Sequence, residues 1–94
     1  MTTKEQDLEQ IKQFFQTHIQ FALSTNGDHP WIATMFYGMD DELNIYFLTD
    51  PETIHAKGLV KNPLVSAVIA DSPQDPNSKK KGIQLYGTAS ELIT

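Results

Sequence analysis

The sequence lacks two residue types altogether, cysteine and arginine. The absence of cysteine excludes disulfides, thiolate metal sites and a cysteine nucleophile. The absence of arginine removes the usual bidentate clamp for phosphate and carboxylate groups. An anion site in this chain must therefore be built from backbone amides, hydroxyl groups, lysine or histidine.

Metal-site and catalytic spacings are also missing. The histidines, His18, His29 and His55, show neither the HxxxH nor the HxH spacing that a shared metal would favour. No nucleophile–base pair or carboxylate pair stands out, so no catalytic residue is assigned. A bound cofactor can carry redox chemistry by itself, and an enzyme is therefore not excluded.

Basic residues are few. Twelve acidic residues stand against seven basic ones, which gives a net charge of −5. Nucleic-acid binders usually present a basic face, and this balance argues against one here. The polar N-terminus is not a signal peptide, and no apolar run approaches the ~20 residues of a membrane span. We expect a cytoplasmic protein with no nucleic-acid or membrane partner.

The length of 94 residues fits one domain, residues 1–94. A chain of this size has a thin core and often gains stability from a second subunit or a bound group. With disulfides excluded, a partner subunit or a cofactor within the core remains.

Hydrophobic periodicity predicts two helices and five strands. A period near 3.6 with a Thr3–Gln6 capping box predicts the first helix, and a period of two predicts strands from Phe21 onward. The elements in order are helix 4–18, strand 21–24, strand 31–37, strand 43–48, a helix entered at 50–53 and ended by 62, strand 64–70 and strand 82–92. The first three strands read as an antiparallel meander, and 71–81 as a polar loop.

The pattern also predicts how the second helix begins and how the strand after it is buried. Asp50 is predicted to cap the second helix, with Pro51 at the first helical position and Glu52 in the first turn. The strand from Leu64 to Ala70 is almost continuously apolar, which predicts burial on both faces. The whole order predicts a mostly-β fold, a small closed or partly closed barrel of about five to six antiparallel strands with helical covers.

Several segments together resemble the FMN-binding split-barrel family related to pyridoxamine 5'-phosphate oxidase. These are the strand–NG turn–strand segment 21–37, "YFLTD", "PETIHAKGLVKNP", "LVSAVIAD" and "GIQLYGTASEL". The resemblance covers roughly residues 20–92 and is most specific between Tyr46 and Asp71. It implies a split β-barrel and a homodimer with FMN at the subunit interface.

The resemblance also implies a cofactor site. Thr49, Thr53 and His55 match positions that contact the flavin phosphate, and Lys57 is a further cation nearby. The isoalloxazine ring would lie along the second strand, and Gln84 would give it a polar contact from the side. The implied cofactor-binding residues are Thr34, Met35, Phe36, Thr49, Thr53, His55, Lys57 and Gln84.

Departures from the family pattern exclude one of the activities that the resemblance would otherwise suggest. Ala33 and Gly38 stand where the vitamin-processing members carry basic residues, and the arginine that holds pyridoxal phosphate is absent. Genuine pyridoxamine phosphate oxidase activity is therefore not expected. The family domain usually continues past the last strand, so the chain either lacks those C-terminal elements or has its barrel completed by a partner subunit.

Three functional readings stay open at this point. The first is an FMN-dependent oxidoreductase of unknown substrate. The second is a non-catalytic carrier or sensor for a flavin, a deazaflavin or haem on the same fold. The third is a small β-barrel used only for protein–protein contact.

Overall fold

The computed structural model describes residues 3–70, 77 and 82–91. Its helices and strands follow in the order α1 (Lys4–Thr17), β1 (Gln20–Asn26), β2 (Pro30–Phe36), β3 (Gly38–Met39), β4 (Ile45–Tyr46), α2 (Ile54–Lys61), β5 (Leu64–Ala70) and β6 (Gly82–Thr88). Neither described helix is long and apolar enough to cross a membrane. The mostly-β class with two helices is confirmed.

The first helix begins as the sequence predicts. The Gln6 N–H donates to Thr3 Oγ1 at 3.1 Å, and the Thr3 N–H donates to Gln6 Oε1 at 2.8 Å, which completes the capping box. These reciprocal bonds satisfy two donors that a helix start leaves free. The helix ends at Thr17, one residue earlier than predicted.

Four antiparallel strands form the main sheet in the order β2-β1-β5-β6. All seven residues of β1 pair with β2, and all seven of β5 pair with β6. The two hairpins are joined by a shorter contact, in which Ala22, Leu23 and Ser24 pair with Val68, Ala67 and Ser66. The described strands thus form an open sheet, not the closed barrel that was one expectation from the sequence.

The third predicted strand is corrected by the structure. Of the predicted strand 43–48, only Ile45–Tyr46 is a strand, β4. It pairs with β3 and not with β2, so the predicted three-strand meander is wrong. The reason lies in Asp40, whose carboxylate accepts the N–H groups of Glu42 and Asn44, each at 2.9 Å. This turn folds the chain back on the short segment directly before it.

The core lies on one face of the main sheet, under the two helices. Its buried residues are Phe15, Phe21, Leu23, Ala67 and Ile69. Tyr37 joins α1 to this face, because its hydroxyl donates to the Phe15 carbonyl at 2.8 Å and its ring meets Phe15 edge-on.

Two predictions about the last strands are wrong. β5 is buried on one face only, since Ala67 and Ile69 are buried while the alternating residues Leu64, Ser66 and Val68 are exposed. β6 ends at Thr88 and not near residue 92. The predicted loop 71–81 lies outside the described residues except for Asn77, a turn residue.

Candidate functional site

Three side chains converge where the chain enters α2, and we call Thr49, Thr53 and His55 the helix-entry cluster. Thr49 Oγ1 bonds His55 Nε2. Thr53 Oγ1 lies 3.3 Å from Thr49 Oγ1 and 3.2 Å from His55 Nε2. The structure therefore brings together three of the residues that the family resemblance implied, within hydrogen-bonding distance of one another.

Thr53 caps the helix, which corrects the prediction that Asp50 would. The Ala56 N–H donates to Thr53 Oγ1 at 3.3 Å, and Thr53 has the extended backbone of an N-cap. Asp50 instead accepts the Glu52 N–H on its carboxylate at 2.9 Å, in a turn before the helix. Asp50 thus forms a tight turn by bonding the N–H of the second residue after it. Pro51 and Glu52 lie in this turn and precede the helix.

The hydroxyl hydrogen of Thr53 can be assigned from this geometry. Thr53 donates it to the Asp50 carbonyl at 2.8 Å, so towards His55 its oxygen can only accept. His55 Nε2 donates to Thr53 only when it carries a hydrogen, and it accepts the Thr49 hydrogen when it carries none.

The charges around the cluster are of both signs. Lys57 lies one turn into α2 and pairs with Glu52 at 3.5 Å, with both side chains largely exposed. The first N–H groups of a helix have no partner within it, and the helix dipole makes this end positive. Together the Thr49 hydroxyl, the imidazole and this helix start form a set of donors suited to an anion.

The remaining predicted residues lie on the main sheet. Residues that pair across antiparallel strands point to the same side, and Thr34, Ala22, Val68 and Gln84 form one continuous row across all four strands. Thr34 and Gln84 therefore share the face opposite the core. Phe36 lies on that face too, 65% exposed.

Met35 points the other way from Thr34 and Phe36. It pairs with Phe21 and packs against the core cluster, partly buried. Its side chain thus serves the core, and only its backbone is available on the strand along which the resemblance would lay a flavin ring.

We call the face opposite the core the outer face; sequence reasoning missed it. It takes alternate residues from each strand: Gln20, Ala22, Ser24, Asn26, Pro30, Ile32, Thr34, Phe36, Leu64, Ser66, Val68, Ala70, Gly82, Gln84, Tyr86 and Thr88. The signal was present in β5, whose apolar residues on both faces predicted double burial. One of those two faces is the outer face, which the described chain leaves open.

A groove of about 540 Å³ runs across the outer face. Its floor contains the paired serines Ser24 and Ser66, and the same cross-strand row ends in Ile32 on one edge and Tyr86 on the other. In this row two small residues on the central strands lie between two large ones on the edge strands, which produces this shape.

The turn between β3 and β4 gathers the acidic run of the sequence. Asp40 also accepts from the Asn44 side chain and from the Tyr46 hydroxyl, each at 3.0 Å. The Asn44 bonds, foremost, lower the pKa of Asp40, and the neighbouring carboxylate raises the pKa of Tyr46. These bonds build the turn; within the described residues, no group of acidic or histidine side chains is arranged to hold a metal ion.

No protein-family model matches the sequence. Two curated proteins resemble it in sequence. The UPF0306 protein YE0465 of Yersinia enterocolitica is 33% identical over 88 residues, which cover 92% of this chain and 59% of that protein. The UPF0306 protein plu4501 of Photorhabdus laumondii is 32% identical over 76 residues, 80% of this chain and 52% of that protein. The chain thus spans little more than half the length of these relatives.

Solved structures also resemble it in fold. HutZ, the heme storage protein from Vibrio cholerae, superposes with a TM-score of 0.78 at 21% identity over 92% of this chain and 63% of that one. The conserved hypothetical protein Rv2991 from Mycobacterium tuberculosis gives a TM-score of 0.72 at 21% identity, over 94% of this chain and 52% of that one. At such identities the similarity establishes the fold alone. This chain has the mostly-β, split-barrel-like fold of these proteins, as the sequence predicted.

Proposed function

We propose that this chain binds a flat conjugated cofactor with an anionic arm, FMN or haem, and acts as a carrier or storage protein for it. The observation that carries the proposal is the helix-entry cluster, in which two hydroxyls and an imidazole meet at the start of α2. The arm of FMN is a phosphate and the arms of haem are propionates. Both are anions of the kind that helix starts and charge-assisted donors bind.

The residues of the cluster fit an anionic arm. Thr49 is exposed and has a hydrogen to donate, and His55 adds a positive charge when it is protonated. The nearby acids are engaged elsewhere, Asp50 with the Glu52 N–H and Glu52 with Lys57. Their repulsion of an anion is thereby reduced.

The carrier reading is favoured over a flavin oxidoreductase by one observation. The fold is shared with a protein named for heme storage. An FMN-dependent oxidoreductase of unknown substrate is the second candidate, supported by the sequence resemblance, and a deazaflavin is a third ligand of the same shape.

The proposal includes a second copy of the chain. The described strands form an open sheet with one uncovered face, and a small domain of this kind gains stability by association. In this proposal the ligand lies where the two copies meet.

The test is a pair of titrations of the purified chain, one with FMN followed by flavin fluorescence and one with haemin followed by its visible absorption. Binding of either ligand in a saturable one-to-one manner is expected. Thr49→Val should weaken binding about tenfold or more, because a hydrogen bond to a charged group is lost with little change of volume.

Thr17→Val is the matched control, since it removes an exposed threonine hydroxyl at the end of α1. It should leave both affinities unchanged. A chain that binds neither ligand, or a Thr49→Val variant with unaltered affinity, would contradict the proposal. Oxidation of NADH or NADPH by the FMN-loaded protein would favour the oxidoreductase over the carrier.

A further inference from the structure

Asn26 is the last residue of β1, and Gly27 follows it in the turn to β2. Four asparagines occur in the chain, and Asn26 alone among them precedes a glycine. The side-chain amide of an asparagine can be attacked by the backbone nitrogen of the next residue. Glycine hinders that attack least, because it has no side chain. The tip of the β1–β2 hairpin therefore carries the residue pair of this chain that is most prone to the reaction.

The surroundings of this pair leave both reacting groups without hydrogen bonds. The Asn26 side chain is exposed, and its amide has no hydrogen-bond partner in the described part of the chain. Gly27 lies beyond the last ladder pair, Asn26 with Pro30, and its N–H has no acceptor among the described residues. A backbone N–H outside a ladder reaches reactive conformations without opening the sheet.

Two other asparagines lack these features. The Asn44 amide donates to Asp40 at 3.0 Å, and the β-branched Ile45 follows it. Asn62 precedes Pro63, whose nitrogen carries no hydrogen and cannot attack. Both therefore serve as comparisons for Asn26 within the same molecule.

The packing of α2 keeps glycine at position 27. Gly27 lies against the backbone of Gly58 in α2, closer than a Cβ atom could approach. A larger residue after Asn26 would slow the attack, but the helix leaves no room for one. The contact that holds α2 on the hairpin thus also leaves Asn26 open to the reaction.

We propose that Asn26 and Gly27 form a self-modification site, at which Asn26 loses ammonia with time and α2 loosens as a result. The Gly27 nitrogen bonds the side-chain carbonyl carbon of Asn26, the bond from that carbon to the amide nitrogen breaks, and ammonia leaves with the Gly27 hydrogen. Water then opens the five-membered succinimide at either carbonyl and returns a hydrogen to the Gly27 nitrogen. The net reaction consumes one water and releases one ammonia, without oxidation, enzyme or cofactor.

The two products, aspartate and isoaspartate, differ in their effect on the fold. Aspartate keeps the main chain and adds a negative charge near Asp28, which is paired with Lys61. Isoaspartate routes the main chain through the side chain of residue 26 and lengthens it by one carbon directly before Gly27. Because Gly27 cannot move towards Gly58, the added carbon pushes α2 away or breaks the last ladder pair.

This loosening reaches the helix-entry cluster. Thr53 is the N-cap of α2 and His55 lies in its first turn, so both move with the helix. Formation of isoaspartate should therefore weaken the anion site. The inference rests on the proposed function for this last consequence alone, since the modification and its effect on the fold do not involve a ligand.

The first experiment incubates the purified full chain at neutral and at mildly alkaline pH and maps its peptides by mass spectrometry. Asn26 is expected to convert while Asn44 and Asn62 stay intact, and faster at the higher pH, because the attacking amide must lose its proton. The map also separates conversion at Asn26 from any at Asn77. Asn26→Gln is the matched control: it keeps the amide, but its attack would need a six-membered ring, so it should stay unmodified over the same period.

The second experiment separates the isoaspartate form by ion exchange and by labelling with an isoaspartyl methyltransferase, and unfolds it in urea. Its ratio of unfolded to folded chain should be about fivefold higher than that of the fresh chain, or more. Its binding of FMN and haemin should be weaker. Freshly purified Asn26→Asp has the same added charge on a normal main chain and should keep a urea midpoint close to that of the wild type.

An Asn26 that remains an amide throughout the incubation overturns the inference. So does an isoaspartate form as stable as Asn26→Asp, because α2 would then not depend on this stretch of backbone. If the fresh chain binds neither FMN nor haemin but ages and loses stability as expected, the proposed function fails and this modification site stands.

Discussion

Gly27, in the turn between β1 and β2, lies against the backbone of Gly58 in α2: a Cβ atom on Gly27 would stand 2.7 Å from the Gly58 Cα. The reverse contact is also close, since a Cβ on Gly58 would stand 3.2 Å from Thr25 Oγ1. An ion pair between Lys61 and Asp28 spans the same junction. Two glycines thus let α2 approach the hairpin closely, and this contact holds the helix whose start carries the helix-entry cluster.

The contact predicts that Gly27→Ala destabilises the fold. The new methyl group would meet backbone, which cannot move aside as a flexible side chain could. We expect the free energy of unfolding to fall by about 1–3 kcal/mol, measured by urea denaturation. Gly38→Ala is the control, since a Cβ there meets nothing within 4 Å; equal losses in the two variants would contradict the explanation.

The environment of Thr25 predicts that replacing it with valine stabilises the fold. Its side chain is buried at 1% exposure, and its hydroxyl has no hydrogen-bond partner among the described residues. Thr25→Val keeps the shape and removes the unsatisfied polar group, so the free energy of unfolding should rise by about 1 kcal/mol. Thr25→Ser keeps the hydroxyl and loses the methyl group, and should be less stable than the wild type. A Val variant that loses stability would show that the hydroxyl has a partner, such as an ordered water.

Thr53 is expected to act on stability as well as on binding. It is the N-cap of α2, so Thr53→Val should lower the free energy of unfolding by about 1 kcal/mol and weaken ligand binding through the displaced helix start. Thr53→Ser retains the capping oxygen and should restore both properties. The comparison separates Thr53 from Thr49, whose change to valine should affect binding alone; a Thr53→Val chain of wild-type stability would rule out the capping role.

Asp40 predicts a dependence of stability on pH. Hydrogen bonds, those from Asn44 first, lower its pKa in the folded chain below the usual 3.8. Such a carboxylate stabilises the fold at pH above its unfolded pKa, and this contribution is lost as the pH falls through the lower folded pKa. Asp40→Ala should therefore be less stable at neutral pH, and its stability should fall less steeply than that of the wild type below a pH of about 4.

Urea denaturation at a series of pH values measures this difference. Asp41→Ala is the control, because Asp41 is the exposed neighbour in the same turn. Parallel pH profiles for the wild type and Asp40→Ala would show that the turn does not depend on the charged carboxylate.

Local signals predicted most elements but not all of their boundaries. The Thr3–Gln6 capping box and the stop before Pro63 fixed the start of α1 and the end of α2, because both depend on neighbours within a few residues. The start of α2 was misjudged, since Asp50 and Thr53 are both good caps three residues apart. Asp50 forms the preceding turn, which leaves Thr53 to cap the helix.

The candidate site was predicted in part. The resemblance singled out Thr49, Thr53 and His55, and the structure brings them together. The structure places the Met35 side chain on the core side of β2, opposite those of Thr34 and Phe36, because side chains alternate along a strand. The ion pair of Lys57 with Glu52 depends on how the turn before α2 closes, which local pattern did not show.

The sequence by itself determined that this protein is a small, mostly-β chain without cysteine or arginine chemistry, because composition, turns and caps are local properties. Tertiary structure alone decided which strands pair. The residues that pair between β1 and β5 lie 42 to 46 positions apart in the sequence, and β4 joins β3 through the Asp40 turn and does not extend the sheet. That pairing creates the outer face, since only the register of four strands brings sixteen uncharged positions onto one surface. The absent charges could be read along the chain, but their collection into one face required the fold.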